Sequence, residues 1–372
     1  MKKVLFLSYI PSPYRVAFFN ELGKRCDLTV VFEKSACTDR DDSWKDYSFD
    51  NFCGIVLNGI VDSDRLPRFC VTRHLKRGEY DAIIVHNPTT PTGIWTIHYM
   101  KRHHIPYMVE SDGAFPRGEQ NGGIAARFKR YLYKDADLCL STAELNDRYF
   151  TENGVVENKI LRYPFSSIAT ADILPAPLSH EEKAALKAIL GIREEKAVVT
   201  VGSFIHRKGF DVLLQAAASL PENVGVYFVG GKPTDEYKEL IERLKLTNIH
   251  FIDFQLKKEL WTYFQAADVF ALPTREDIWG LVVNEAMANA LPVVTTERCI
   301  AGLEMVKQGQ NGYIVPIDDS DALAERINAI IQNDEHQAAM AQKSLEIIKD
   351  YTIETMTQAH IQIWQESGEN NE

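Results

Sequence analysis

The chain has 372 residues, of which 45% are hydrophobic and 25% charged, a balance typical of a soluble globular protein with room for two domains. Its formal net charge of −11 argues against general nucleic-acid binding. No transmembrane helix is predicted, because the longest uncharged stretch, 82–100, contains His86, Asn87, two prolines and Gly93. The N-terminal apolar run predicts a buried strand rather than a signal peptide.

The six cysteines form no CxxC pair and do not cluster with histidine. This spacing predicts free thiols in a reducing, cytoplasmic setting, and it gives no support to a structural zinc site.

Apolar runs alternate with amphipathic helical patterns along the first half, which predicts an α/β domain with a mainly parallel sheet. The predicted strands are Val4–Ser8, Leu28–Phe32, Ala82–His86, Tyr107–Glu110 and Leu138–Ser141. Helices are predicted at Val16–Lys24 and Ile94–Arg102.

A segment rich in serine, alanine and proline follows Pro164 and predicts a domain boundary. We therefore expect a first domain over 1–170 and a second over 180–349. A capping box, Ser179 with Glu182, begins the next helix. A last helical stretch, roughly 336–365, is long enough for its end, about 350–368, to return to the first domain.

The second half repeats the α/β alternation. Its predicted strands are Ala197–Val201, Tyr227–Gly230, Ile249–Ile252, Val269–Leu272 and Pro292–Thr295. Helices are predicted between them at Asp211–Ala218, Tyr237–Leu244, Glu259–Ala266 and Val282–Ala290. Two Rossmann-like domains of this kind bind ligands at the carboxyl ends of their strands, so we expect a cleft there.

The strongest chemical signal lies in 273–293, where a strand, an acidic loop and a helix starting near Leu281 follow one another. Gly280 lets a diphosphate approach the backbone, and the helix N-terminus supplies N–H donors. Asp277 and Glu285 are carboxylates suited to sugar and ribose hydroxyls. The spacing alone is explained equally well by a structural interpretation, in which Asp277 caps the helix and Glu285 lies on the surface.

A second strand–loop–helix signal lies in 201–211. Gly202 and Gly209 permit tight turns, and Arg207 and Lys208 place cations where a leaving diphosphate needs its charge neutralised. An Arg-Lys pair alone is usually just solvated, but in the same domain as the acidic loop it favours a phosphate clamp.

These motifs resemble the retaining glycosyltransferases of family 4, also called group 1, which have the GT-B fold. The matches are Lys208-Gly209, the spacing from Asp277 to Glu285-Ala286-Met287-Ala288, and Pro292-Val293. They continue through Ala301-Gly302 to Asn311-Gly312, so they span about 198–316 in the family's order. In the first half, 11–20 (PSPYRVAFFN) resembles the opening loop of a subset of these enzymes.

The resemblance implies a role for each matching residue. Lys208, helped by Arg207, would bind the donor diphosphate, Glu285 the ribose, and Asp277 the transferred sugar. The donor surface would also include Gly202, Ser203, Trp279, Gly280 and Leu281. Tyr14, Arg15 and Glu110 would lie on the acceptor side.

Three departures from the family pattern matter. The first acid of the spaced pair is usually Glu but is Asp277 here, with Glu276 beside it, so either acid could face the sugar. Ser203 stands where an Arg is common. Where many members have His-Gly, this chain has Glu110-Ser111-Asp112-Gly113, so Asp112 is the candidate near the anomeric centre, with Glu110 as its rival.

Metal binding is not expected. Asp62-Ser63-Asp64 and Asp135-Ala136-Asp137 have the acid-x-acid pattern of metal-dependent transferases, but they lie in a loop and before a strand. His86, His98 and the pair His103-His104 lack ligand spacing on one face. Trp279 fits a core role as well as a donor contact.

The resulting hypothesis is transfer of a hexose from a nucleoside diphosphate sugar, a UDP-sugar rather than a GDP-sugar, to a glycan or lipid-linked glycan acceptor. Retention of configuration and the absence of a cofactor follow from the resemblance. An anionic membrane surface is a further expected partner, because 65–134 contains 12 basic and 5 acidic residues. Within it, 128–134 interleaves aromatic and basic residues.

Two alternatives remain open from the sequence. A nicotinamide-dependent oxidoreductase or epimerase would also have Rossmann-like halves, but it requires G-x-G-x-x-G, and no glycine precedes Gly23. A catalytically silent sugar-binding partner would bind the donor without turnover.

Overall fold

In a computed structural model, residues 1–35, 47–57, 65–116 and 123–369 are described. The chain divides into two compact units, which are treated separately below. The first comprises Met1–Ser167 together with Thr352–Glu372, and the second comprises Ile168–Tyr351. Cys37, one of the six cysteines, and the acid-x-acid pattern Asp62-Ser63-Asp64 lie outside the described residues.

The first unit is built on a seven-stranded parallel sheet. Its strands are β1 (Lys3–Ser8), β2 (Asp27–Phe32), β3 (Cys53–Val56), β4 (Ala82–Val85), β5 (Met108–Glu110), β6 (Cys139–Ser141) and β7 (Ile160–Arg162). Their order across the sheet is β3-β2-β1-β4-β5-β6-β7, so β1 and β4 are central. Apart from Lys3 and Ser8 at the two ends of β1, these central strands are apolar, because helices cover both faces of such a sheet.

Four helices of the first unit each follow a strand, as the crossover between parallel strands requires. They are α1 (Pro13–Leu22), α2 (Pro91–Arg102), α3 (Ile124–Tyr133) and α4 (Glu144–Glu152). α1 and α2 each begin with a proline, Pro13 and Pro91. The missing N–H costs no hydrogen bond there, because the first N–H groups of a helix have no partner within it. Thr90 caps α2 by accepting a hydrogen bond from the amide of Gly93 at 3.0 Å.

The second unit has a six-stranded parallel sheet in the order β10-β9-β8-β11-β12-β13. Its strands are β8 (Lys196–Val201), β9 (Val224–Val229), β10 (Ile249–Ile252), β11 (Val269–Leu272), β12 (Val293–Thr296) and β13 (Gly312–Val315). Its helices are α5 (His180–Leu190), α6 (Phe210–Ala217), α7 (Asp235–Leu244), α8 (Lys257–Ala266), α9 (Leu281–Ala288), α10 (Ile300–Met305), α11 (Ser320–Ile331) and α12 (Asp334–Ile348).

The predicted capping box at the start of α5 is confirmed. The Ser179 hydroxyl accepts from the Glu182 amide at 3.2 Å, and the Glu182 carboxylate accepts from the Ser179 amide at 2.8 Å.

The last helical stretch is two helices rather than one. α12 ends at Ile348, and α13 (Ile353–Glu369) belongs to the first unit. Thr352 and Thr355 explain the break, because each hydroxyl accepts a hydrogen bond from the other residue's amide, at 3.1 and 2.8 Å. This reciprocal cap satisfies N–H groups that a continuous helix would pair internally.

Every strand pair within the two sheets is parallel. The predicted fold class, two parallel-sheet α/β domains, is therefore confirmed. Among the described residues, no helix combines the length and the apolar character that crossing a bilayer requires.

Candidate functional site

Two loops of the second unit meet where β8 and β11, neighbouring strands, end. The loop after β8 carries Lys208 and turns into α6 at Gly209, whose φ is +65°. A Cβ at position 209 would lie 2.0 Å from the carbonyl oxygen of Pro273, so only glycine allows this approach. The glycine therefore brings the basic loop against the loop that carries Asp277.

Lys208 and Asp277 are joined directly by this approach. The Lys208 ammonium donates to Oδ2 of Asp277 at 2.7 Å, and the Arg207 guanidinium lies 3.7 Å from the same oxygen. The Lys208 side chain also packs over Gly202, where a Cβ would lie 3.3 Å from its Cε. Neighbouring Ser203 is exposed.

The two acids of the β11 loop point to different partners. The Glu276 carboxylate pairs with the Arg298 guanidinium at 2.6 Å, while its carbonyl oxygen accepts from Arg207 at 2.6 Å. Asp277 is nearly buried, and its amide donates to the Arg298 carbonyl at 2.8 Å. Asp277, not Glu276, is thus the acid that faces Lys208.

The start of α9 follows Asp277 closely in the chain. Gly280 precedes the helix with φ +100°, and a Cβ there would come within 2.9 Å of the Cys299 sulfur. Leu281 is the first helical residue, and Glu285 is half-buried one turn further along. Because the first amides of a helix have no partner within it, this end can accept an anion.

Trp279 is buried in the second unit. Its indole N–H donates to Oδ1 of Asn284 at 2.9 Å, and its carbonyl oxygen accepts from the Ala301 amide at 2.8 Å. Of the two roles that fit the sequence, this placement favours support of the loop over contact with a ligand.

In the first unit, three predicted residues converge at the carboxyl edge of the sheet. Arg15 on α1 donates to Oε1 of Glu110 at 2.6 Å and also binds Oδ1 of Asp112. Two histidines complete the cluster. His86 lies 2.8 Å from Arg15 through Nδ1, and His360 of α13 lies 3.0 Å from Oε2 of Glu110.

Burial and charge oppose each other in this cluster. Burial raises the pKa of Glu110, but the charge of Arg15 and the hydrogen bonds from His360 and His86 hold it well below its usual range. For Arg15, burial lowers the pKa and the two carboxylates raise it by more. Arg15 and Glu110 are therefore a fully charged buried pair.

Asp112 is the acid of the cluster that remains accessible. Its side chain is 15% exposed, whereas that of Glu110 is fully buried. Tyr14 directly precedes Arg15 on α1 and is half-buried. Its ring lies edge-on to that of Phe165, with 6.0 Å between the ring centroids. Arg15 thus joins Asp112 to Glu110, and neither Arg15 nor Glu110 offers a free charge of its own.

His86, Glu110 and Asp112 each offer a ligand atom within 4.8 Å of the others, which is a spacing a metal ion could use. The Arg15 guanidinium, however, already binds both carboxylates. A cation placed there would meet this positive charge, so the electrostatics disfavour a metal.

The acid-x-acid pattern Asp135-Ala136-Asp137 lies within the described residues, and its two acids have different surroundings. Asp135 pairs with Lys101 at 2.6 Å, and burial raises the pKa of the Asp137 carboxyl. Cys26, Cys53, Cys70, Cys139 and Cys299 are free thiols, as predicted.

The sequence predictions missed several residues of these clusters. Arg275, Arg298 and Asp211 lie around the two loops of the second unit, and His360 approaches Glu110 from 250 positions away in the chain. The position of His86 directly after a buried strand could have predicted its place in the cluster, because the carboxyl ends of parallel strands lie at one edge of the sheet.

Two protein families match the chain. Residues 182–346 match the family described as Glycosyl transferases group 1, and residues 59–165 match the family described as Glycosyl transferase 4-like domain. The first match contains both loops of the second unit, and the second contains His86, Glu110 and Asp112.

Curated relatives match over part of the chain. A D-inositol 3-phosphate glycosyltransferase from Corynebacterium urealyticum is 31% identical over 182 residues, which cover 45% of this chain and 42% of that protein. The lipopolysaccharide core biosynthesis glycosyltransferase LpsE from Rhizobium meliloti is 28% identical, covering 45% of this chain and 48% of that protein. The chain thus spans less than half the length of these relatives.

Solved structures match over the whole fold. Anabaena HepE in complex with UDP has a TM-score of 0.78 at 18% identity, covering 98% of this chain and 100% of that one. Sucrose-phosphate synthase from Thermosynechococcus elongatus has a TM-score of 0.77 at 17% identity and full coverage of both chains. At these identities the likeness establishes the fold, which is the GT-B class of glycosyltransferases.

Proposed function

The chain belongs to the glycosyl transferases group 1, and on that premise we propose that it moves a hexose from a nucleoside diphosphate sugar to a glycan acceptor with retention of configuration. One observation carries the proposal. Lys208 and Asp277 are in contact, 2.7 Å apart, in the loops beside the N-terminus of α9.

This arrangement suits the departure of a diphosphate. As the bond between sugar and diphosphate breaks, negative charge develops on the leaving oxygens. Lys208 and Arg207 are the cations of the site, and the first amides of α9 add oriented dipoles at fixed positions. Asp277, held 2.7 Å from Lys208, keeps the ammonium aimed, and its second oxygen is an acceptor for a sugar hydroxyl.

The donor is proposed to be a UDP-sugar. Glu285, half-buried on α9, is the carboxylate for the ribose hydroxyls, and Gly280 gives the diphosphate close access to the backbone. Structures of Anabaena HepE contain UDP and UDP-glucose, which supports the choice of base. No cofactor is assigned, since the charge of the leaving group is met by side chains and amides.

The acceptor is proposed to be a glycan, free or lipid-linked, in the synthesis of a surface polysaccharide. The similarity to LpsE, a glycosyltransferase of lipopolysaccharide core biosynthesis, supports an acceptor of this kind. Asp112, the accessible acid of the cluster around Arg15, is the proposed polar contact for the reacting sugar, and Tyr14 lies on the same helix as the arginine that holds it.

A lipid-linked acceptor is compatible with the surface of α3. Ile124 is 87% exposed and Phe128 42% exposed, while Arg127 and Arg130 are exposed beside them. Tyr133, at the end of the helix, is buried in the core. We therefore propose peripheral binding to an anionic membrane, with apolar side chains entering the interface and arginines meeting lipid phosphates. The cytoplasmic location expected from the cysteines stays a prediction.

A mass-spectrometric screen tests the proposed function. The protein is incubated with a panel of UDP- and GDP-sugars, and release of the free nucleotide is measured with and without glycan acceptors. We expect release from at least one UDP-sugar, increased by an acceptor. Binding of UDP without release from any donor would instead support the silent sugar-binding protein.

A further inference from the structure

Arg275 lies two residues before Asp277, on the same loop, yet its side chain turns back toward the loop that carries Lys208. Its Nη1 donates to the carbonyl oxygen of His206 at 2.7 Å. The same nitrogen donates to Oδ1 of Asp211 at 2.9 Å, and Nη2 donates to Oδ2 at 2.6 Å. The guanidinium therefore holds both ends of the short segment that contains Lys208.

The backbone reinforces this attachment. The amide of Arg275 donates to the carbonyl of Arg207 at 2.8 Å, and the Thr274 hydroxyl donates to the same carbonyl at 2.9 Å. On its far side, Nε of Arg275 donates to Asp318 at 2.7 Å, in the turn before α11. All three guanidinium nitrogens are thus engaged, and the side chain is 17% exposed.

Charge adds to the geometry. Burial raises the pKa of the Asp211 carboxyl, but the hydrogen bond and the charge of Arg275 lower it by more. Asp211 lies in the first turn of α6, so the pair also fixes where that helix begins, directly after Lys208 and Gly209. A bidentate contact to a carboxylate and a simultaneous bond to a carbonyl require a planar fork of donors, which lysine lacks.

We propose that Arg275 is a positioning residue that sets the Lys208 ammonium at the leaving diphosphate by clamping 206–211 to the Asp277 loop. The inference rests on the proposed function of Lys208. It assigns no contact between Arg275 and the donor. Its effect on catalysis passes through Lys208, since an ammonium displaced by about 1 Å can lose on the order of 100-fold in rate.

The test uses Arg275→Lys, which keeps the charge and removes the fork. The substrate is the UDP-sugar turned over fastest in the donor screen, and the readouts are kcat, KM and the melting temperature. We expect kcat to fall by about 10- to 100-fold with a smaller change in KM. Arg193→Lys is the matched control, because it makes the same change at an exposed arginine that precedes β8, at the opposite end of that strand from the Lys208 loop, and its kcat should stay near that of the wild type.

A double variant separates positioning from simple stabilisation. If Arg275 acts through Lys208, then Lys208→Ala with Arg275→Lys has the same kcat as Lys208→Ala alone. The inference would be overturned if the two substitutions lowered kcat independently, so that their fold-reductions multiplied in the double variant. A kcat for Arg275→Lys near the wild-type value would also overturn it. If Lys208→Ala itself leaves kcat unchanged, the proposed function fails first, and that outcome is visible in the same experiment.

Discussion

Replacing Arg15 with Met tests whether the buried cluster of the first unit is held together by charge. Met preserves much of the side-chain volume but removes the cation that binds Glu110 and Asp112. Arg15 is 1% exposed, so water cannot replace its hydrogen bonds. Removing one partner of such a buried pair destabilises a protein by about 3–5 kcal/mol.

The loss depends on pH in a direction that the structure fixes. In the wild type, the pKa of Glu110 is held well below its usual range, so its contribution to stability is present above the unfolded-state pKa and is lost in acid. Without Arg15, burial dominates and raises that pKa. The carboxyl then destabilises the fold as the pH rises, so the gap between variant and wild type is largest near pH 8 and narrows toward pH 5.

Hydrogen exchange read by mass spectrometry on peptides from β1 and β4 measures this free energy in the first unit itself. Arg25→Met is the control, because Arg25 is exposed and its replacement should change stability by less than about 0.5 kcal/mol. Adding Glu110→Gln to Arg15→Met should recover part of the loss. A loss below about 1 kcal/mol, or one independent of pH, would refute the reasoning.

Three further predictions concern the nucleotide, metals and membranes. Glu285→Gln should weaken UDP binding at least about tenfold in calorimetry, and unchanged affinity would make Glu285 a structural residue. Turnover should persist in excess EDTA, and a complete loss that manganese restores would contradict this. Co-sedimentation with anionic vesicles should fall with salt and in Arg127→Glu/Arg130→Glu, whereas no binding at low salt would favour an acceptor in solution.

The strands that the sequence did not predict are edge strands. β3 and β7 form the two edges of the first sheet, and β13 forms one edge of the second. Most of their residues are half-exposed, so they lack the continuous apolar run that identifies a central parallel strand. The central strands were predicted to within a few residues because burial on both faces constrains their composition.

The candidate site residues that the sequence predicted are those that lie within short motifs. Lys208, Asp277 and Glu285 lie in short strand–loop–helix segments whose order and spacing carry the resemblance to the family. The choice between Glu276 and Asp277 depends on Arg298, more than twenty residues away, and no local pattern encodes that pair. Long-range partners such as His360 are likewise set by the packing of α13 and not by spacing.

The proposal that Lys208 stabilises a leaving diphosphate is tested most directly by Lys208→Ala. Single-turnover release of UDP from the preferred donor isolates the chemical step, and calorimetry with UDP checks that the site still forms. We predict a rate lowered by about 100-fold or more with the fold intact, since a charge that acts chiefly in the transition state is removed. A single-turnover rate near that of the wild type would contradict the account.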